Sequence, residues 1–139
     1  MISKTRLTVR YAETDQMAIV HHSNYPIWYE AGRTDFTAAM GMPYDRIEEQ
    51  GVMFPLLELH CKYIQAAKYG DVVIVETSIT KLSIVKVEFS YKVYRESDGV
   101  LLNTGSTVHG MVTKELRPMN MKKEKPEKLI LLFLKFHIL

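Results

Sequence analysis

Within VRYAETDQMAIVHHSNYPIWYE, residues 9 to 30, one aspartate (Asp15), two adjacent histidines (His21 and His22) and an asparagine (Asn24) precede a segment rich in aromatic side chains. A carboxylate such as Asp15 can attack a carbonyl carbon or take a proton from water. A helix N-terminus offers unpaired N–H groups and about half a positive charge to the oxyanion that forms on that carbonyl. Asp15 and the backbone of residues 22 to 25 therefore supply the two parts that hydrolysis of an activated acyl group requires. Asp, His and His are also metal ligands. Neighbouring histidines diverge in regular backbone, however, and helical sites favour the i, i+4 spacing of HExxH, so no metal is expected here. The plainest reading is structural: Ser23 or Asn24 caps a helix, and Asp15, His21 and His22 populate a polar surface loop. Against it stand Met17, Ala18, Ile19 and Val20, an apolar run that predicts a loop packed inward.

Other nucleophiles are poorly supported. No GxSxG elbow is present. Cys61 is the single cysteine, which excludes an intramolecular disulfide and a CxxC metal motif, and its place on the apolar side of a strand pattern predicts a buried core thiol.

The elements that position the cluster follow from periodicity. RLTVRY alternates, with Leu7, Val9 and Tyr11 on one side, and predicts a first strand. From Asn24 the period becomes helical: Tyr25, Trp28, Tyr29, Gly32, Phe36, Ala39 and Met40 form one stripe, with Glu30, Arg33 and Thr37 on other faces. Pro26 is tolerated in the first turn and Gly41 suits the stop. PYDRIEEQG predicts a short second helix between Pro43 and Gly51.

Alternation then returns four times. Leu57, Leu59, Cys61 and Tyr63 oppose Glu58, His60 and Lys62; VVIVETSIT follows; Val85, Val87, Phe89, Tyr91 and Val93 oppose Lys86, Glu88, Ser90 and Lys92. Asp98-Gly99 signals a hairpin into VLLNTGSTVHGMVT, in which Gly105 and Gly110 predict bulges or close approaches. One strand, a long helix and four further strands predict an α+β fold with the helix on one face of an antiparallel sheet.

Composition agrees with a folded protein of one domain, residues 1 to 139: 47% hydrophobic and 24% charged. A formal charge of +2, from 18 basic and 16 acidic residues, carries no nucleic-acid footprint. No stretch reaches the roughly 20 apolar residues of a membrane span, and MISKTRLTVRY lacks the apolar core of a secretory signal, so the cytoplasm is expected. The tail from about residue 126, with KLILLFLKFHIL, is apolar nearly all round.

VRYAETDQMAIVHHSNYPIWYEAGR resembles the signature of the hotdog-fold acyl-CoA thioesterases of the 4-hydroxybenzoyl-CoA thioesterase and YbgC-like group. FPLLELHCKYIQAAKYGD and the strand ending STVHGMV are similar to that family's later strands, and the resemblance spans about residues 4 to 118. It implies a sheet of about five strands wrapped around the long helix, a homodimer or homotetramer with active sites at the subunit interface, an acyl-CoA substrate and no cofactor. By position, Asp15 matches the catalytic carboxylate, nucleophile or general base. The N–H of His22 matches the donor that polarises the thioester carbonyl, the His22 side chain matches a histidine that orients substrate or water, and Tyr25 matches a tyrosine shaping the acyl pocket. Ala18 departs from the pattern, which has glycine there. If that position demands positive φ, alanine costs roughly 1 kcal/mol.

Two other functions suit such a fold: a non-catalytic acyl-CoA binding or regulatory module, and a dehydratase or hydratase of acyl thioesters. The second wants its carboxylate within the early turns of the helix, whereas Asp15 precedes the helix and Asp35 lies too deep in it. Coenzyme A phosphates need basic partners, for which Lys81, Lys86 and Lys92 are available, though solvated strand lysines are common.

Overall fold

The structure, a computed structural model, describes residues 1–119. Its elements are β1 (Ser3–Thr8), α1 (Asn24–Ala39), α2 (Tyr44–Glu49), β2 (Leu56–Tyr63), β3 (Val72–Leu82), β4 (Lys86–Arg95) and β5 (Leu101–Gly110), with a 3-10 turn at Tyr11–Glu13 between β1 and α1. The strands form one antiparallel sheet in the order β1-β3-β4-β5-β2. The sheet wraps α1, which is the hotdog arrangement that the resemblance implies. The apolar tail lies outside the described residues.

The two periodicities meet in the core. In register, Val75 opposes Val93, Tyr91 opposes Gly105 and Phe89 opposes Thr107, so their side chains share the face toward α1. Phe36 and Tyr29 of α1 are fully buried against that face, each worth about 1.5–3 kcal/mol of apolar burial. The Tyr29 ring stacks on Tyr91 at 4.1 Å and its hydroxyl bonds Asn103. Two glycines permit this depth. A Cβ on Gly32 would stand 3.1 Å from Val75 Cγ1 and closer still to the Thr77 hydroxyl, and one on Gly105 would stand 2.6 Å from the His60 carbonyl oxygen.

Several sequence expectations shift. Strand β1 ends at Thr8, and Tyr11, expected on its inner face, is 77% exposed in the 3-10 turn. On α1, Thr37 is buried while Ala39 is exposed; the apolar stripe drifts around the helix near its C-terminus. Val85 lies outside β4 and is exposed. Register breaks fall at Leu56/Glu58, Ile79/Lys81 and Val93/Tyr94 rather than at a glycine. Gly105 is the expected close approach, but at Gly110 a Cβ would meet only ordinary contacts beyond 3.5 Å.

The largest difference concerns β2. Leu59, Cys61 and Tyr63 oppose the inward-facing Thr107, Gly105 and Asn103, but a bulge at Leu57 breaks the expected alternation; Leu57 is 52% exposed, Leu59 41% and Tyr63 49%, because among the described residues α1 covers little of β2. Cys61, expected in the core, is only half-buried for the same reason.

Candidate functional site

The segment between β1 and α1 folds back on itself. The Asp15 N–H donates to the Ile19 carbonyl (2.9 Å), the Ala18 N–H donates to the Asp15 carbonyl (2.9 Å), and Thr14 pairs with Val20. One Asp15 carboxylate oxygen, Oδ1, accepts the Met17 N–H at 2.8 Å. That bond fixes the rotamer and leaves Oδ2 without a partner among the described residues. Closing so short a loop forces Ala18 to φ 64, the left-handed region where alanine carries a cost of about 1 kcal/mol. The departure at this position thus retains the backbone shape that glycine would adopt freely. The loop is less buried than its sequence predicts: Val20 is buried and Ile19 half-buried, whereas Met17 and Ala18 are exposed.

Helix entry is held by a group that the sequence reading passed over. Glu13 is 4% exposed. Its carboxylate accepts the Arg10 N–H (2.8 Å) and the Trp28 indole N–H (2.8 Å), and its carbonyl accepts the His21 N–H (2.8 Å). A buried tryptophan N–H needs an acceptor, so Trp28 on the inward stripe was the available signal for a buried acceptor nearby. Capping also differs from expectation. Ser23 occupies the N-cap position but makes no side-chain cap bond, while the Asn24 amide donates to the carbonyls of Glu13 (3.0 Å) and His21 (3.2 Å). Asn24 therefore ties the start of α1 to both ends of the loop.

Asp15, His22 and Tyr25 come together around one cleft of about 260 Å³, completed by Tyr63, Ile64 and Gln65 from the end of β2 and the residues after it. The His22 N–H has no acceptor among the described residues, and its carbonyl accepts the Tyr63 hydroxyl at 3.0 Å. Tyr25 packs edge-to-face on Tyr63, with ring centroids 5.2 Å apart. Burial raises the Tyr25 phenol above its ordinary pKa. Burial and the neighbouring Cys61 push the Tyr63 phenol up to about 12, so both phenols stay protonated near neutral pH. His21 is engaged with the Ser23 hydroxyl (2.7 Å) and lies beside the cleft rather than in it. Asp35 accepts the Thr5 hydroxyl at 2.7 Å, a contact with β1 that removes it from this site. Lys81 and Lys86 sit around the β3–β4 turn and are not among the cleft residues.

Two of the other concavities among the described residues carry charged side chains. One of about 310 Å³ lies on the outer sheet face among Glu76, Ser78, Ser90, Lys92 and Thr104. The other, of about 290 Å³, lies between α1, α2 and the start of β2 and includes Arg33, Tyr44, Phe54 and His109. Neither combines a carboxylate with a free amide at a helix N-terminus.

A helix wrapped by five antiparallel strands, with a carboxylate, an unpaired amide and apolar walls around a cleft at its head, is the hotdog arrangement. The chain belongs to the thioesterase-like superfamily, whose family model matches residues 9–129. Among curated relatives, a protein named putative acyl-CoA thioesterase YneP from Bacillus subtilis is 35% identical over 127 residues, 91% of both chains. A putative esterase of Aquifex aeolicus is 36% identical over 107 residues, 77% of this chain and 82% of the relative. Among solved structures, a hypothetical protein from Thermus thermophilus aligns with TM-score 0.81 at 42% identity, over 93% of this chain and 97% of its own. The DHNA-CoA thioesterase of Staphylococcus aureus aligns with TM-score 0.83 at 27% identity, over 99% of this chain and 96% of its own.

Proposed function

We propose that this protein hydrolyses acyl-CoA thioesters to the free acid and coenzyme A, with Asp15 as the reacting carboxylate. The observation that carries the reading is that Asp15, with one carboxylate oxygen unpartnered, and His22, with its N–H unpaired among the described residues, line one cleft at the head of α1. The thioester carbonyl oxygen accepts the His22 N–H, and the helix dipole stabilises the charge that gathers on it. Asp15 then takes a proton from a water that adds to the carbonyl carbon, or itself attacks and forms an anhydride that water opens. On either route the C–S bond breaks and the sulfur leaves as the thiol of coenzyme A. The His22 side chain orients water or substrate, and Tyr25 shapes the acyl pocket. The named substrates of two relatives, acyl-CoA for YneP and DHNA-CoA for the staphylococcal enzyme, support this class.

Tyr63 and the residues after β2 line the cleft, and the exposed β2 edge beside it supports completion by a second copy. Antiparallel pairing of two β2 strands would remove the unprotected edge. The site then lies at a subunit interface.

A panel of acyl-CoA substrates assayed by release of free thiol tests the activity. Turnover that survives dialysis against a strong chelator is the expected result. Absence of turnover across short, long and aromatic acyl groups contradicts the enzyme and favours a binding module.

A further inference from the structure

We infer that the end of the sheet formed by the β3–β4 turn and the loop after β5 docks on an anionic lipid surface. Ile84, Val85 and Leu116 enter the headgroup layer, and Lys81, Lys86, Lys114 and Arg117 lie against the headgroups. This contact is independent of hydrolysis, and either can fail without the other.

The two loops lie together. Leu82 opposes Val87, Val87 opposes His109 and His109 opposes Leu56, so one row closes this end of β3, β4, β5 and β2. Beyond it the chain turns twice. In the first turn the Ser83 hydroxyl accepts the Val85 N–H at 3.2 Å and the Lys86 N–H at 3.0 Å, which fixes Ile84 and Val85 at the apex with both side chains exposed. The Met111 N–H donates to the Val85 carbonyl at 2.9 Å, so the second loop, residues 113–117, starts beside the first. That loop is closed by the Thr113 N–H on the Arg117 carbonyl (2.8 Å) and by the pairing of Val112 with Pro118. It holds Leu116 at φ 61 and 67% exposed. Glycine or asparagine is the ordinary occupant of that backbone region, whereas leucine is strained there. Neither the fold nor a bare surface gains from an aliphatic side chain at this point; a contact outside the chain does.

The charge around these side chains is of one sign. Lys81 and Lys86 flank the first turn, Lys114 and Arg117 lie in the second loop, and all four are exposed. Glu115 is the one carboxylate within the two loops, and Glu88 opposes Lys81 one row inside. None of the four cations forms an ion pair among the described residues. Aliphatic tips ringed by unpaired cations match a surface that is anionic outside and apolar beneath, as a bilayer with acidic headgroups is. A soluble acidic ligand matches the charges alone. The chain continues with the same two properties. The described residues end at Met119, one position past the Val112–Pro118 pairing and therefore at this end. The sequence that follows, NMKKEKPEKLILLFLKFHIL, is basic first and then apolar, and its apolar part is too short to span a bilayer. The Asp15 cleft lies at the other end of the sheet. Tyr63 of that cleft opposes Asn103, and from Asn103 to His109 along β5 is roughly 20 Å at about 3.3 Å per residue.

Flotation of the full chain with phosphatidylcholine vesicles, with and without phosphatidylglycerol, tests this. Binding to the anionic vesicles should be at least about tenfold tighter than to the neutral ones and should weaken as salt is raised. Lys114→Gln with Arg117→Gln removes two charges and should weaken it roughly twenty-fivefold, at about fivefold per charge. Ile84→Ser with Leu116→Asn should weaken it about tenfold, and asparagine suits the backbone at position 116 so that the loop is kept. Hydrolysis of a soluble short-chain acyl-CoA should be unchanged in both variants, because none of the four residues lines the Asp15 cleft. Should Ile84→Ser with Leu116→Asn not fold, the charge variant, altered only at exposed side chains, still decides. No binding, binding that ignores headgroup charge, or binding that survives both pairs of substitutions would overturn the inference. Self-association without lipid that the Ile84 and Leu116 changes abolish would overturn it too, and would assign the surface to a second copy of the chain.

Discussion

Strands β4 and β2 carry the same sequence pattern and meet opposite fates. On β4, Val87, Phe89, Tyr91 and Val93 are all at most 3% exposed, held between β3, β5 and α1. On β2, Leu59 and Tyr63 point to the same side of the sheet and remain 41% and 49% exposed. Alternation therefore fixes which way a side chain faces but not whether anything covers it. The cover over the strand decides that: β1 is also an edge, yet α1 packs on it and Ser3 and Thr5 are buried, whereas α1 reaches little of β2. The uncovered end is also where Tyr63 meets the Asp15 cleft, so the unfinished edge and the chemistry occupy one region.

The difference predicts a sharp contrast between two substitutions. Phe89→Ala on β4 leaves a cavity beside Phe36 and His109, with which the ring makes edge-to-face contacts. It should cost about 3–5 kcal/mol, read as a large fall in the urea midpoint. Leu59→Lys on β2 should cost far less in the folding of one chain, yet sedimentation at low micromolar concentration should shift from an oligomer toward a 16.1 kDa species. Equal destabilisation by the two would erase the distinction between core and edge.

Acid should probe the β4 and β5 side next. The folded-state pKa of His109, about 4, lies below its ordinary 6.5 because burial and Arg33 disfavour the charged ring. The unfolded chain therefore binds the extra proton first. Stability from this group is complete above about pH 6.5 and is lost as pH falls toward 4, by up to about 3 kcal/mol. In His109→Gln, unfolding midpoints followed through that range should show a shallower acid decline. An unchanged slope would mean that His109 is not the group responsible.

The smallest effect belongs to the loop. Ala18→Gly removes the penalty of a Cβ at φ 64 and should raise stability by up to about 1 kcal/mol, or a few degrees in Tm, without reducing turnover. A loss of stability would place a favourable Ala18 contact above the backbone cost.

Much of this molecule was legible in its sequence, for identifiable reasons. Helix α1 was readable because Tyr25, Trp28, Tyr29, Gly32 and Phe36 repeat at helical spacing and Gly41, at φ 80, ends it. The site loop was readable because Asp15, His22 and Tyr25 lie within eleven positions and a resemblance spans them, and the structure gathers all three on one cleft. What escaped depends on distant contacts. Glu13 looks like any surface glutamate until its carboxylate is found under the Trp28 indole. Tyr63 reads as a strand residue until its hydroxyl reaches the His22 carbonyl, 41 positions away in the chain. The exposure of β2 follows from how little of it α1 covers, which no local pattern encodes.

The central claim is that Asp15 performs chemistry. Asp15→Asn preserves the size of the side chain and an oxygen for the Met17 N–H, so the loop should keep its shape while the charge is lost. Steady-state hydrolysis of the best acyl-CoA substrate, with Tm measured on the same sample, is the decisive comparison. The account predicts a fall in kcat of about 10²–10⁴-fold with Tm little changed. Retention of more than about a third of wild-type turnover would contradict it, since no general base or nucleophile is so dispensable.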